Sequence, residues 1–163
     1  MSQWFRVFGT NETQPAPAAL LEHLHARGLP VAAHFRGDDL GWTGAELTPD
    51  GGNTAVALER YLTAEDDLRD ELNSWAAWLE TRGHEPRHGE LMQHVIATRQ
   101  LVTLRAPAGA EPLDRLGAEV CQFLARQTDG VYQADGQGFF AADGTPLLRE
   151  DGPPAVELPV PPR

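Results

Sequence analysis

No lysine occurs anywhere in this chain; all 13 basic residues are arginine. Schiff-base chemistry and the lysine of a phosphate-binding loop are therefore excluded. Serine is nearly as scarce. Ser2 and Ser74 are the only two, and neither sits in the Gly-x-Ser-x-Gly turn that exposes a hydrolase nucleophile. A single cysteine, Cys121, excludes an internal disulfide, and its place one position off an apolar helical stripe reads as a buried structural thiol. Isoleucine appears once, at Ile96, which together with the arginine-only usage reads as a GC-rich coding bias. No apolar run approaches the roughly 20 residues that span a bilayer, and the opening MSQWFRVFG lacks the charged-then-apolar layout of a leader. No membrane association and a cytoplasmic location are the expectation.

Metal and phosphate chemistry are equally poorly supplied. His23 and His25 are two apart on an expected helix and diverge by about 200°. His84 and His88 straddle Gly83 and Pro86, where one helix stops and the next starts, and His94 lies off the face of His88. Zinc usually takes three or four converging Cys or His ligands, and no such spacing occurs, so no metal and no cofactor are expected. The glycine pairs Gly51-Gly52 and Gly136-x-Gly138 fall in hairpin turns and open no helix after a strand.

What the chain has in excess is negative charge, unevenly placed. The formal net charge is −11, and the segment Gly37–Glu80 holds eleven acids against Arg60 and Arg69, a net −9. Such a field repels nucleic-acid phosphates and attracts basic partners. The competing reading is that Glu65, Asp66 and Asp67 decorate a helix N-terminus while the remaining acids keep the protein soluble.

The apolar pattern gives the fold class. Trp4–Phe8 reads as a strand, and Pro15-Ala16-Pro17 opens a helix that carries Leu20, Leu21 and Leu24 inward and is capped by Gly28. Val31–Arg36, Trp42–Thr48 and Thr54–Leu62 read as three strands, the last with Val56, Leu58 and Arg60 on one side. Thr63 is expected to cap a helix striped by Leu68, Leu72, Trp75 and Leu79, with a second helix beyond Pro86 burying Leu91, Met92, Val95 and Ile96. Leu101–Arg105 is a further strand. An amphipathic helix follows with Leu113, Leu116, Val120, Phe123 and Leu124 on one face, and then Asp-Gly turns separate three short strands up to Leu148.

The expected architecture is therefore α+β: two strand-helix-three-strand units, residues 1–62 and 101–149, around a shared, mainly antiparallel sheet. A helical hairpin over 63–100 joins them into one domain, 1–149, and a proline-rich extended tail follows over 150–163.

Two functional expectations follow. The first is a non-enzymatic interaction module that docks a basic protein partner through Asp38, Asp39, Asp67, Asp70 and Glu71. The second is a binder of a cationic or aromatic small molecule, in a cleft near Trp42 and Glu46 with Tyr61 and Tyr132 as further contacts. By the strand period of two, Trp42 and Glu46 share a face, and an aromatic beside a carboxylate suits a cation. Glu46 and Glu59, on adjacent strands, form a possible carboxylate pair for acid–base work. Enzyme chemistry ranks last, because nucleophiles, lysines and metal clusters are missing.

Overall fold

The computed structural model describes residues 2–39, 41–83, 86–109 and 111–150. In chain order the elements are β1 (Ser2–Gly9), α1 (Pro17–Ala26), β2 (Val31–Asp38), β3 (Gly41–Pro49), β4 (Val56–Leu62), α2 (Arg69–Glu80), α3 (His88–Ile96), β5 (Gln100–Pro107), α4 (Glu111–Gln127), β6 (Val131–Ala134), β7 (Gly138–Phe140) and β8 (Pro146–Arg149). The class is α+β. All eight strands join one antiparallel sheet in the order β2-β3-β4-β5-β1-β6-β7-β8. No helix among the described residues is long and apolar enough to cross a membrane.

The sheet separates two cores. On one face, Leu20 and Leu24 of α1 and the stripe Leu113, Leu116, Val120 and Leu124 of α4 pack on Phe5, Val7, Leu58 and Leu104. On the other, Leu72, Trp75 and Leu79 of α2 and Leu91 and Val95 of α3 pack on Phe8, Leu101, Val131 and Phe139. The central strands β1 and β5 are thus covered on both sides over Phe5–Gly9 and Gln100–Leu104, where burial is continuous and takes in Arg6 and Thr103. In contrast, α2 and α3 leave the second face of β2, β3 and β4 open. There His34, Arg36, Glu46 and Glu59 are exposed, and on the edge strand β2 only Val31 and Phe35 are even half-buried.

Three local expectations fail for identifiable reasons. Thr63 does not cap α2. Its hydroxyl donates to the Thr98 carbonyl at 3.0 Å, and the helix begins six residues later at Arg69 with Leu68 as N-cap. The carboxylate of Asp66 instead accepts from the Leu62 N–H at 2.9 Å, so the acids at 65–67 fold into turns ahead of the helix. Ile96 ends α3 and is 63% exposed; the buried face of that helix is Leu91 and Val95. The proline-rich tail expected over 150–163 lies, past Glu150, outside the described residues, and the Glu150 N–H donates to the Gln137 carbonyl at 3.2 Å.

The third failure concerns strand β3. Arg36 pairs with Gly44 but Gly37 pairs with Trp42, so Thr43 is an extra, unpaired residue and β3 carries a bulge. A Cβ at Gly37 would stand 2.3 Å from the Gly41 carbonyl oxygen, so the backbone approach at the bulge requires glycine there. One extra residue inverts the side-chain alternation beyond it. Trp42, Ala45 and Leu47 are consequently buried on the α1 and α4 side, whereas Glu46 is exposed on the opposite face.

Candidate functional site

The bulge decides the fate of the expected Trp42–Glu46 cleft: the two residues face opposite sides of the sheet. Trp42 is a core residue, with its indole N–H donated to the Pro15 carbonyl at 2.9 Å and its ring edge-on to Phe35. The Arg60 guanidinium covers it from β4, held by Gln100 Oε1 at 2.9 Å and the Trp42 carbonyl at 3.2 Å. Burial lowers the Arg60 pKa, opposed by the Glu12 charge. Tyr132 is buried in the same core, where its oxygen accepts from Gln122 and its ring stacks on Phe140; burial first of all raises its pKa. Only Glu46 and Tyr61 of the four lie on the open side. Glu46 stands opposite Ala57 while Glu59 stands opposite Gly44, so these two carboxylates are diagonal neighbours on that face.

Tyr61 leads to the site the structure does build. It lines a hollow of about 410 Å³ with Glu59 of the same strand, Trp4 of β1, Thr103 of β5, Asp66, Asp67 and Leu68 of the turn, and Glu71 of the first turn of α2. That volume falls within the range of ligand-binding clefts. The local sequence explains the assembly. Glu59 and Tyr61 are two apart on β4 and share its open face, and Thr103 pairs directly with Glu59 across the ladder. Trp4 alternates with Arg6 and Phe8, and sits where the cover provided by α2 ends. The turns at 63–67 then bring Asp66 and Asp67 down to the sheet beside Glu71.

The hollow is electrostatically one-sided. Four carboxylates face two aromatic rings, and the Tyr61 hydroxyl donates to Glu59. Burial, the Glu59 hydrogen bond and the charges of Glu59, Glu71 and Asp66 push the Tyr61 phenol up to about 12. Burial raises Glu71 as well, opposed by the Arg6 charge and the Trp75 indole N–H. Behind the hollow, Arg6 is 1% exposed, paired with Asp135 at 2.8 Å, hydrogen-bonded to Gln133 at 2.8 Å and stacked between the Trp4 and Trp75 rings. Arg105, which pairs with Trp4 across the ladder, also lies over the Trp4 ring.

Neither a protein-family model nor a curated protein nor a solved structure matches this chain. The functional reading therefore rests on the geometry alone.

Of the five acids expected to dock a partner, Asp67 and Glu71 line the hollow. Asp70 is exposed in the same helical turn, its carbonyl accepting from Ser74. Asp38 ends β2 and Asp39 follows it in the turn, on a strand two removed from β4, and neither lines the hollow. Sequence reasoning missed Trp4 and Asp66 as site residues, and it set Glu59 in a carboxylate pair with Glu46 instead of in this hollow. The i,i+2 pair Glu59–Tyr61 carried a usable signal, because a charged and an aromatic residue on the open face of a half-covered strand is unusual; Trp4 had none, since its neighbours mark it as core. Two other hollows are less suited to a cation. One of about 310 Å³ holds Arg69 and Arg99 beside the exposed Ile96, and one of about 390 Å³ lies between α1 and β2 around His25, Glu22 and Asp50. Cys121 is fully buried, which raises its thiol pKa and keeps it unreactive.

Proposed function

We propose that this protein is an interaction module that receives a basic segment of a partner protein in the acidic hollow between β4, β1 and the start of α2. The observation that carries the reading is the convergence of Glu59, Asp66, Asp67 and Glu71 around Trp4 and Tyr61 in one recess. Carboxylates supply the charge complement of an arginine or lysine side chain, and the Tyr61 ring offers a flat negative face over which such a cation packs, whereas Trp4 already carries Arg6 and Arg105. Asp38, Asp39 and Asp70, exposed around the recess, extend the same field and speed encounter rather than hold the bound state. The recess opens onto an uncovered sheet face, which favours a side chain presented by a partner over a molecule enclosed on all sides. The same field disfavours nucleic acid.

The test is titration with an arginine-rich peptide and with a glutamate-rich peptide of equal length. The arginine peptide binds, with an affinity that falls as salt rises, and the glutamate peptide does not. A Glu59→Gln, Asp66→Asn, Asp67→Asn protein loses most of that affinity, whereas Asp38→Asn with Asp39→Asn slows association and leaves dissociation unchanged. Undiminished affinity in the triple variant would sink the proposal. Tyr61 also favours a second reading, a small cationic ligand in the same recess; a free aromatic amine that raises the melting temperature more than the peptide does would select it.

The architecture has a finer reading too. The element order β1-α1-β2-β3-β4 recurs as β5-α4-β6-β7-β8 on either side of α2 and α3, which supports two strand-helix-three-strand units sharing the sheet within a single domain. The recess lies where the first unit meets the connecting helices, which agrees with a location away from the repeated scaffold.

A further inference from the structure

The described chain turns at four Asp-Gly pairs: Asp50-Gly51, Asp129-Gly130, Asp135-Gly136 and Asp143-Gly144. Such a pair is reactive in itself. Glycine has no Cβ to screen its backbone nitrogen, which can close a five-membered ring on the side-chain carboxyl of the aspartate before it. Closure needs a carboxyl free of partners and a nitrogen free to reach it. The fold treats the four pairs differently.

Three of them are tied at both ends. The Asp129 carboxylate accepts from Asn11 at 3.1 Å, and the Gly130 N–H donates to the Ala125 carbonyl at 2.8 Å. Asp135 accepts from Arg6 at 2.8 Å and from Gln133 at 2.9 Å, while the Gly136 N–H donates to the Glu150 carboxylate. Asp143 accepts from the Thr145 N–H at 2.9 Å, and the Gly144 N–H donates to the Ala141 carbonyl at 2.9 Å. Asp50-Gly51 has neither tie. Among the described residues no hydrogen bond or ion pair engages the Asp50 carboxylate, and the Gly51 N–H has no acceptor. Both residues are exposed, and nothing stands within 4 Å of the position a Gly51 Cβ would take.

The surroundings also tolerate a change there. β3 ends at Pro49 and β4 begins at Val56, so the turn lies outside both strands. Its anchors are the Asp50 N–H on the Pro30 carbonyl at 3.1 Å and the Gly52 N–H on the Pro49 carbonyl at 2.9 Å. Between those anchors Gly51 and Gly52 leave the backbone free to rotate.

We propose that Asp50-Gly51 is a site of spontaneous aspartyl isomerisation, the one pair of these four that the folded protein leaves reactive. The Gly51 nitrogen attacks Cγ of Asp50; the new C–N bond forms, the C–OH bond breaks, and the amide proton leaves with the hydroxyl as water. Water then adds to the main-chain carbonyl of residue 50 and breaks its bond to the Gly51 nitrogen. The chain continues through the side-chain carboxyl, one methylene longer, with the mass unchanged and nothing oxidised or reduced.

The experiment incubates the full chain at neutral pH and 37 °C, then digests it with trypsin. Cleavage after arginine puts Asp50 in peptide 37–60 and the other three pairs in peptide 127–149. Electron-transfer fragmentation locates the β-linked residue in each. In the folded protein residue 50 isomerises at least about tenfold faster than residues 129, 135 and 143, the weight of the hydrogen bonds those three must break. In urea the four rates converge, because only the fold separates them. Asp50→Glu, which would require a six-membered ring, abolishes the isomer at that position. The wild-type comparison depends on no variant folding. A residue 50 that isomerises no faster than the other three in the folded chain, or a gap that persists in urea, overturns the proposal.

Discussion

Replacing one glycine by alanine at two places in the helices should give opposite results. Alanine is favoured over glycine in a helix interior by about 1 kcal/mol. Gly89, near the start of α3, has nothing within 4 Å of the position its Cβ would take, so Gly89→Ala should stabilise by a few tenths up to that value. Gly117 lies mid-way along α4, where a Cβ would stand 2.6 Å from Cε1 and 2.8 Å from Cζ of Phe5. Carbon pairs rest at about 3.5–4.0 Å, so the intrusion approaches 1 Å. The Phe5 ring is 2% exposed at the centre of the sheet and has no free space to swing into, so α4 and β1 must part. Overpacking of this kind costs about 1–3 kcal/mol. After the propensity gain, Gly117→Ala should destabilise by about 1–2 kcal/mol, a fall in Tm of roughly 3–6 °C for a chain of this length. Urea denaturation with an unchanged m-value and a calorimetric scan provide the measurement. A Gly117→Ala protein as stable as wild type, or more so, would refute the claim that α4 meets the sheet by backbone-close packing at Phe5.

Three further outcomes are expected. At pH 10, where a free phenol is half ionised, the native protein should show little phenolate absorbance at 295 nm, because Tyr61 is pushed up to about 12 and Tyr132 is raised as well. With its folded pKa above its unfolded value, Tyr61 contributes stability that is intact below about pH 10 and lost as pH rises toward about 12, and Tyr61→Phe should flatten that part of the stability–pH curve. Asp135→Ala removes the carboxylate hydrogen-bonded to the buried Arg6 and should cost about 3 kcal/mol in chemical denaturation; the double variant with Arg6→Met should be less destabilised than Asp135→Ala alone. Ile96→Ser should change stability by less than about 0.5 kcal/mol in the same assay, since that side chain is 63% exposed.

Much of the fold is legible in the sequence because local signals mark it. Pro17 and Gly28 bracket α1, with Gly28 at φ +77°, and the turns at Gly136 and Gly144 carry the positive φ that Asp-Gly pairs announce. The failures are non-local. The bulge at Thr43 exists only against β2, so nothing within Trp42–Thr48 reveals that Trp42 and Glu46 part company. The start of α2 is displaced because the Asp66 side chain satisfies the Leu62 N–H and stabilises a turn that competes with the helix. Half of the candidate recess could be read: Tyr61, Asp67 and Glu71 stand out by residue type and by their place in the acidic segment. Trp4 and Thr103 could not, because they join the site only through the pairing of β1 with β5 and of β5 with β4.

The position of β1 bears on how the protein is made. Its two neighbours in the sheet are β5 and β6, roughly 100 and 130 residues further along the chain. During synthesis at about 5–20 residues per second, the first strand of the eight waits roughly 6–25 s before its second partner leaves the ribosome. Meanwhile β2, β3 and β4 can pair locally as a meander. Phe5, Val7 and Phe8, buried on opposite faces of the finished sheet, have no partner strand until β5 emerges and lack the second until β6 follows. The segment that anchors the centre of the native protein is therefore the one most exposed to misassociation on the ribosome, and nascent chains arrested before residue 100, ahead of β5, should be those a chaperone binds through it.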